Sequence, residues 1–394
     1  MRPRPNAASA IAGTGRFLRQ TYNEPGIELE RHLLFRQEPG TTELTGIEPG
    51  RQDCMQTNHP MTGQRPLLTL AIPTYNRGVF LRQFLDSVRD QLRSTSEVEV
   101  IVSDNASTDE TPEIMREELQ RGTRLTYIRN SENIGPDANF LQCYERASGR
   151  YVWVMGDDDV LAPYALQRIV ECLSGDEFEL VYLTPFGFEG SDAPPMNLSP
   201  TQKSVRTFDD PEPFVRRVHF FFAMISANIV NKDRVESIGH EPFSKLIGSN
   251  LIHLGWIFTA LRGHRKSMLL DEKLFGYRCE NTGGFGVCRV FGPALSEVAE
   301  QWLNVPKLSN LISNGALQRH IPPLLLNAKR QTGRPFLRED AHAILSKTFG
   351  KNIRYWLCDY PLIVLPEGPA WVWLQMVRVV NRIDRALGFP LLGW

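Results

Sequence analysis

Tyr151-Val152-Trp153-Val154-Met155-Gly156-Asp157-Asp158-Asp159 is the stretch that decides the fold. Its first five residues form an unbroken apolar run, as in a strand buried on both faces. A glycine follows, then three carboxylates. Adjacent carboxylates repel one another, and burial near a sheet edge makes this worse. One reading is a solvated acidic loop. The other is a site for Mg²⁺ or Mn²⁺, cations that favour oxygen ligands and bridge phosphates. The position at a strand end favours the cation.

The same texture extends outward on both sides. Upstream, 67–72 is another apolar run, ending in Pro73-Thr74-Tyr75-Asn76-Arg77. A helical stripe follows: Leu81, Phe84, Leu85, Val88 and Leu92. Residues 98–102 predict a strand ending in Ser103-Asp104-Asn105-Ala106-Ser107, with Asp109 as N-cap and Pro112 in the first turn of the next helix. Residues 125–128 predict a third strand, and the loop 130–135 leads into a helix near Pro136. Downstream, Leu166, Ile169, Val170 and Leu173 mark a helix, and 180–183 a strand. This alternation predicts an α/β fold, with βαβ units and a mostly parallel sheet flanked by helices. Ligands of such sheets bind beyond the carboxyl ends of the strands. Three polar clusters lie at strand ends, 73–77, 103–107 and 157–159, and are expected to converge on one ligand.

Composition excludes several classes. The 394 residues are 42% hydrophobic and 23% charged, which is ordinary for a globular chain of one or two domains. Lys plus Arg (44) nearly balance Asp plus Glu (45), so no nucleic-acid partner is expected. Six cysteines show no CxxC pair, which argues against a zinc knuckle and fits reduced thiols in a cytoplasmic setting. No stretch reaches the ~20 apolar residues of a membrane span, and no apolar secretory signal is visible at the start. Residues 1–64 are rich in Pro, Gly, Thr, Arg and Glu without strand or helix period. They read as a poorly ordered extension, with Met61 as an alternative start. Residues 187–213 read as a loop and 296–394 as mainly helical.

Taken in order, Ile-Pro-Thr-Tyr-Asn-Arg, Val-Ser-Asp-Asn-Ala-Ser-Thr-Asp, Asn133-x-Gly135 and Ala-Ser-Gly-Arg-Tyr-Val before the aspartates resemble the family 2 glycosyltransferases. The resemblance is strong over about 66–190. It implies a GT-A fold, a Rossmann-like sheet, a nucleotide-diphospho-sugar donor, a divalent metal held by a DXD motif, and inversion at the anomeric carbon. By it, Pro73, Thr74, Tyr75 and Asp104 line the nucleoside pocket, and Asn133 and Gly135 join the donor-binding set. Asp157 and Asp159 match the two metal-binding acids, with Asp158 on the donor side or in either frame. Chemically, Tyr75 suits a nucleobase, Arg77 a phosphate, and Asp104 a base N–H. The finer similarity is to abequosyltransferases of O-antigen assembly, which implies a lipid-linked glycan acceptor. The implied division is a nucleotide-sugar-binding half over 65–190, an acceptor-binding half over 191–295, and a helical region over 296–394.

Two departures stand out. Pro136-Asp137-Ala138-Asn139 follows the Asn-x-Gly where many members carry an arginine near phosphate. The Glu-Asp pair that supplies the usual base is also missing. In its place stands 249–256, with His253 as the candidate catalytic base or a histidine satisfied within a helix. Asp271 and Glu280 are rivals. Trp256 is an acceptor-sugar platform or core. The Gly-rich loop 278–286 reads as a lid or a plain surface loop. Near the end, Trp373, Val377, Val380, Ile383 and Leu387 form one helical stripe, with Arg378, Arg382 and Arg385 on another. That pattern suits peripheral contact with the inner face of the cytoplasmic membrane, or docking on the chain's own domain. A non-catalytic sugar-binding scaffold and a sugar nucleotidyltransferase are the alternative functions. The second would carry a Gly-rich phosphate loop that is not visible.

Overall fold

The computed structural model describes residues 54–57, 65–190, 204–279, 285–330 and 339–387. A nine-stranded sheet forms the centre. Its strands in chain order are β1 (Cys54–Thr57), β2 (Leu68–Thr74), β3 (Val98–Asp104), β4 (Thr126–Arg129), β5 (Tyr151–Val154), β7 (Leu180–Leu183), β9 (Val205–Phe208), β10 (Asn228–Asn231) and β11 (Ser267–Leu270). A smaller sheet joins β6 (Val160–Leu161), β8 (Phe186–Phe188) and β12 (Phe275–Arg278). The large sheet runs β1-β4-β3-β2-β5-β10-β7-β11-β9. β2, β3, β4 and β5 are parallel neighbours, as are β7 and β11, whereas β1, β9 and β10 run antiparallel to their neighbours. This is the GT-A architecture expected.

Helices cover the sheet where the sequence periods place them. α1 (Gly78–Ser94) buries the expected stripe of Leu81, Phe84, Leu85, Val88 and Leu92. α2 (Thr111–Gln120), α3 (Pro136–Arg146) and α4 (Ala165–Gly175) complete the βαβ crossovers. α5 (Pro211–Val218), α6 (Lys232–Ile238) and α7 (His253–Arg262) follow. β2 is buried at all seven positions and β5 at all four, because helices pack on both faces. Each fully buried Leu or Val there contributes about 1.5–3 kcal/mol.

Three short strands depart from the sequence reading. β1 falls inside the segment expected to lack strands; it is a four-residue edge strand held by main-chain pairing to β4, too short to show a period. The rest of the expected extension, including Met61, lies outside the described residues. β8 overlaps the start of the expected loop 187–213, and β9 falls inside it. β9 is an exposed edge strand, so it shows no burial alternation to read. Beyond β12 the chain is helical as expected. Among the described residues it includes four π-helical turns, Val290–Ala294, Ala299–Leu303, Ala316–His320 and Tyr355–Asp359. No helix among the described residues is long and apolar enough to cross a membrane.

Candidate active site

The crossovers lay β3 and β4 to one side of β2, then β5 to the other. A crevice opens at such a switch point, past the carboxyl ends of the two strands. Thr74 is the last residue of β2, and Asp157 lies just past β5. They meet across the crevice: the Thr74 hydroxyl donates to Asp157 Oδ2 at 2.7 Å. Arg77 Nη1 donates to Asp157 Oδ1 at 2.8 Å and stands 3.7 Å from Asp158 Oδ1.

The cluster at the end of β3 joins the same place. Asn76 N–H donates to Ser107 Oγ at 2.9 Å, Thr108 N–H to Asn76 Oδ1 at 2.7 Å, and Gly78 N–H to Asp109 Oδ2 at 2.8 Å. Asp109 also accepts from Thr111 N–H at 3.0 Å, so one carboxylate serves the starts of α1 and α2. Asn76 (φ 53°) and Ala106 (φ 63°) sit in the left-handed region, which folds the two loops sharply toward each other. A non-glycine residue there costs roughly 1–2 kcal/mol, and the Asn76 side-chain bond offsets part of it.

The acidic triplet is enclosed. Asp157 is 3% and Asp159 6% exposed. Burial pushes the Asp157 carboxyl up to about 6 against the opposing pull of Arg77, and burial with the Asp158 charge holds Asp159 well above the usual range. Burial pulls the Arg77 guanidinium down, but the neighbouring aspartates more than offset it. Three carboxylates face one ion-paired guanidinium. A Cβ on Gly156 would stand 2.9 Å from Asp158 Oδ1 and 3.3 Å from Asp159 Oδ2, so only glycine lets these carboxylates fold back over the main chain. Surplus negative charge and hard oxygen donors suit a divalent cation, though among the described residues no three acidic, histidine or cysteine side chains are gathered to hold one by themselves.

Ser226, about seventy residues away in sequence, secures the triplet. Its hydroxyl oxygen accepts from Gly156 N–H at 3.0 Å and its hydroxyl bonds Asp159; its carbonyl accepts from Trp153 Nε1 at 2.8 Å. Arg278 donates its backbone N–H to Asp159. Its guanidinium lies 4.8 Å from the Phe80 ring and 4.7 Å from Phe188, and donates to Gln83 and to the Gly190 carbonyl. Neither residue carries a motif that marks it in the sequence.

The remaining expected donor residues divide. Tyr75 is 42% exposed at the crevice, with its ring open to a ligand. Pro73 is buried in β2. Asn133 and Gly135 are drawn to the β3 end by Asn105, whose Nδ2 donates to Asn133 Oδ1 (2.7 Å) and to the Gly135 carbonyl (3.2 Å). Asn105 Oδ1 accepts from Asn130 Nδ2 (3.1 Å) and Ile134 N–H (2.9 Å). Asp104 is fully buried, and both its oxygens are taken: Ser107 N–H donates at 2.8 Å and the Tyr127 hydroxyl at 2.7 Å. It organises the turn beneath the pocket.

His253 and Trp256, each read either as an acceptor-side residue or as a packed one, are both enclosed. His253 opens α7 but is 4% exposed, and burial pulls it down to about 4. Its Nε2 pairs with the Ala223 carbonyl at 3.0 Å. A buried ring of that basicity is a poor proton acceptor, and it braces the turn preceding Ser226 instead. Trp256 is 3% exposed, stacked on Tyr144 (4.7 Å, 12°) and edge-on to Phe243, so it is core. Asp271 pairs with Arg206 and accepts from Thr184 Oγ1 at 3.0 Å. Glu280, and residues 280–284 of the expected lid, lie outside the described residues.

Comparison with known proteins finds similar glycosyltransferases. Residues 69–233 match the family described as glycosyl transferase family 2. The chain is 32% identical over 203 residues to abequosyltransferase RfbV of Salmonella typhimurium, covering 48% of this chain and 59% of that protein. It is 32% identical over 107 residues to the GalNAc(5)-diNAcBac-PP-undecaprenol beta-1,3-glucosyltransferase of Campylobacter jejuni, covering 27% and 34%. The matches thus span less than two thirds of these relatives' own lengths. Among solved structures, S. aureus TarS residues 1–349 in complex with UDP-GlcNAc superposes with a TM-score of 0.52 at 14% identity, covering 82% of this chain and 92% of that one. The same protein in complex with UDP gives 0.51, covering 80% and 91%. At that identity the likeness establishes the fold.

Proposed function

We propose that this chain, whose residues 69–233 form a family 2 glycosyltransferase domain on a GT-A fold, is an inverting, metal-dependent glycosyltransferase. It moves a sugar from a nucleotide-diphospho-sugar to a lipid-linked glycan in surface polysaccharide or O-antigen synthesis. The observation that carries the reading is the crevice between β2 and β5, where Thr74, Arg77 and the buried triplet converge. Tyr75 stacks on the nucleobase, and the loop of Asn133 and Gly135 borders the donor. Asp157 and Asp159 would hold Mg²⁺ or Mn²⁺, with Asp158 on the donor side. When bound, the cation neutralises charge gathering on the departing diphosphate. The acceptor hydroxyl attacks the anomeric carbon from the face opposite the diphosphate, which inverts that centre. The lipid-linked acceptor is supported by the polyprenyl-linked substrate named for the Campylobacter relative and by the apolar outer face of the C-terminal helix, Glu367–Leu387. Contact with the inner face of the cytoplasmic membrane follows from it.

Calorimetry with UDP, GDP, CDP and dTDP, with and without Mn²⁺, tests the donor half. One nucleotide should bind, and more tightly with Mn²⁺. Asp157→Ala should lower transfer by about a hundredfold or more; unchanged turnover would sink the role given to the triplet. A second reading, a non-catalytic sugar-binding scaffold, is favoured by the burial of His253. Nucleotide binding without turnover on any membrane-extracted acceptor would establish it.

A further inference from the structure

We propose that Arg77 is a resident counter-ion that holds the place of the divalent cation and leaves the aspartates only when a diphosphate arrives to receive it. The proposal rests on the donor and cation reading above and deepens it. One nitrogen, Arg77 Nη1, reaches two carboxylates of the triplet, at 2.8 Å from Asp157 Oδ1 and 3.7 Å from Asp158 Oδ1. The other Asp157 oxygen is taken by Thr74. A cation bound to Asp157 needs one of its oxygens at roughly 2.0–2.6 Å. A guanidinium left in place would then lie within a few ångström of a doubly charged ion, with little water between to screen the repulsion. The two therefore compete for Asp157 Oδ1 through their like charges.

Arg77 is free to move where its neighbour is not. Its side chain is 35% exposed, its guanidinium pairs with these aspartates, and the Phe80 ring lies 5.8 Å from it. Arg278, near the same ring, is 5% exposed and held by Phe188, Gln83 and Gly190. Two phosphates entering the crevice offer Arg77 a replacement for the carboxylates it gives up. The cation alone must displace Arg77 with nothing to receive it. Cation and diphosphate together exchange one ion pair for another, so each should strengthen the other's binding by the same factor.

The test is the free Mn²⁺ signal in electron paramagnetic resonance titrations of the full chain. Wild type, Arg77→Met and Arg77→Lys are titrated with Mn²⁺ alone, then in the presence of UDP, GDP, CDP or dTDP. Arg77→Met should bind Mn²⁺ alone tenfold or more tightly than wild type and lose most of the nucleotide enhancement. Arg77→Lys, which keeps the charge without the planar fork, should fall between. If Arg77→Met fails to melt cooperatively, the Arg77→Lys comparison decides. Equal or weaker Mn²⁺ binding by the variants overturns the proposal while leaving the cation site standing. No Mn²⁺ binding by any of the three proteins overturns the proposal and the cation reading together.

Discussion

Asn105 is the residue on which the loop 130–135 turns. It is 3% exposed, and its amide makes four hydrogen bonds, to Asn130, Asn133, Ile134 and Gly135. Asn105→Ala leaves several of those groups without partners, at about 1–3 kcal/mol for each that stays dry. We expect a loss of roughly 2–3 kcal/mol in urea unfolding and weaker nucleotide binding; unchanged stability would refute this account of the loop. His253 gives a pH prediction. Its ordinary value is near 6.5 and its folded value about 4, because burial disfavours the charged ring. The unfolded chain therefore takes up the proton first. The contribution is whole above pH 6.5 and is lost as pH falls toward 4, by up to about 3 kcal/mol. His253→Gln does not titrate, so the wild-type-minus-variant difference in unfolding free energy should shrink with acid; a flat difference would contradict it.

At the scale of elements, α3 is tied to the chain before α7 by one side chain. Asp137 accepts from Gly248 N–H at 2.7 Å and Asn250 N–H at 3.0 Å. Burial raises its pKa. Asp137→Ala should destabilise the chain by about 2–4 kcal/mol, whereas Asp137→Asn, which keeps an acceptor, should cost less; equal losses would show that the bonds are not the cause. The strands on which the site is built were legible in the sequence, because a strand covered on both faces must be apolar throughout: 67–72 became β2, and 98–102 became β3. β10 was not legible, since it offers only Ile229 and Val230 between two asparagines. Those asparagines are spent on local bonds, Asn228 to the Phe222 and Met224 carbonyls and Asn231 to Arg234 N–H. The strand-end clusters could be read because they lie within a few residues of apolar runs. The burial of His253 and Trp256 could not, because it depends on packing between distant helices.

Over the whole molecule, the C-terminal helix docks by a different face from the one its sequence suggests. Ala370, Leu374, Val377 and Asn381 are buried, and Asn381 donates to the Gln318 carbonyl at 3.0 Å. Trp371, Val372, Met376, Val379 and Ile383 are each more than 40% exposed, with Arg378 and Arg382 exposed beside them. The expected stripe through Val377 is corrected accordingly, because that residue faces the domain; the side chains of Arg385 and Leu387 lie outside the described residues. Trp373 Nε1 donates to the Leu357 carbonyl at 2.8 Å, which brings the exposed Leu357 and Trp356 to this helix. Such a surface suits an anionic bilayer. The triple change Trp371→Ser, Met376→Ser, Val379→Ser should reduce sedimentation with phosphatidylglycerol vesicles tenfold or more without lowering the urea midpoint; undiminished sedimentation would remove this face from the membrane. The placement of β10 bears on how the chain is made. β5 is complete at residue 154, but the strand that covers its open edge begins at 228, so 73 residues (155–227) must be synthesised in between. At about 5–20 residues per second that edge stays bare for roughly 4–15 s, long enough for a second nascent chain to pair with it. The interval makes β5 the segment through which slow or stalled synthesis would lead to aggregation.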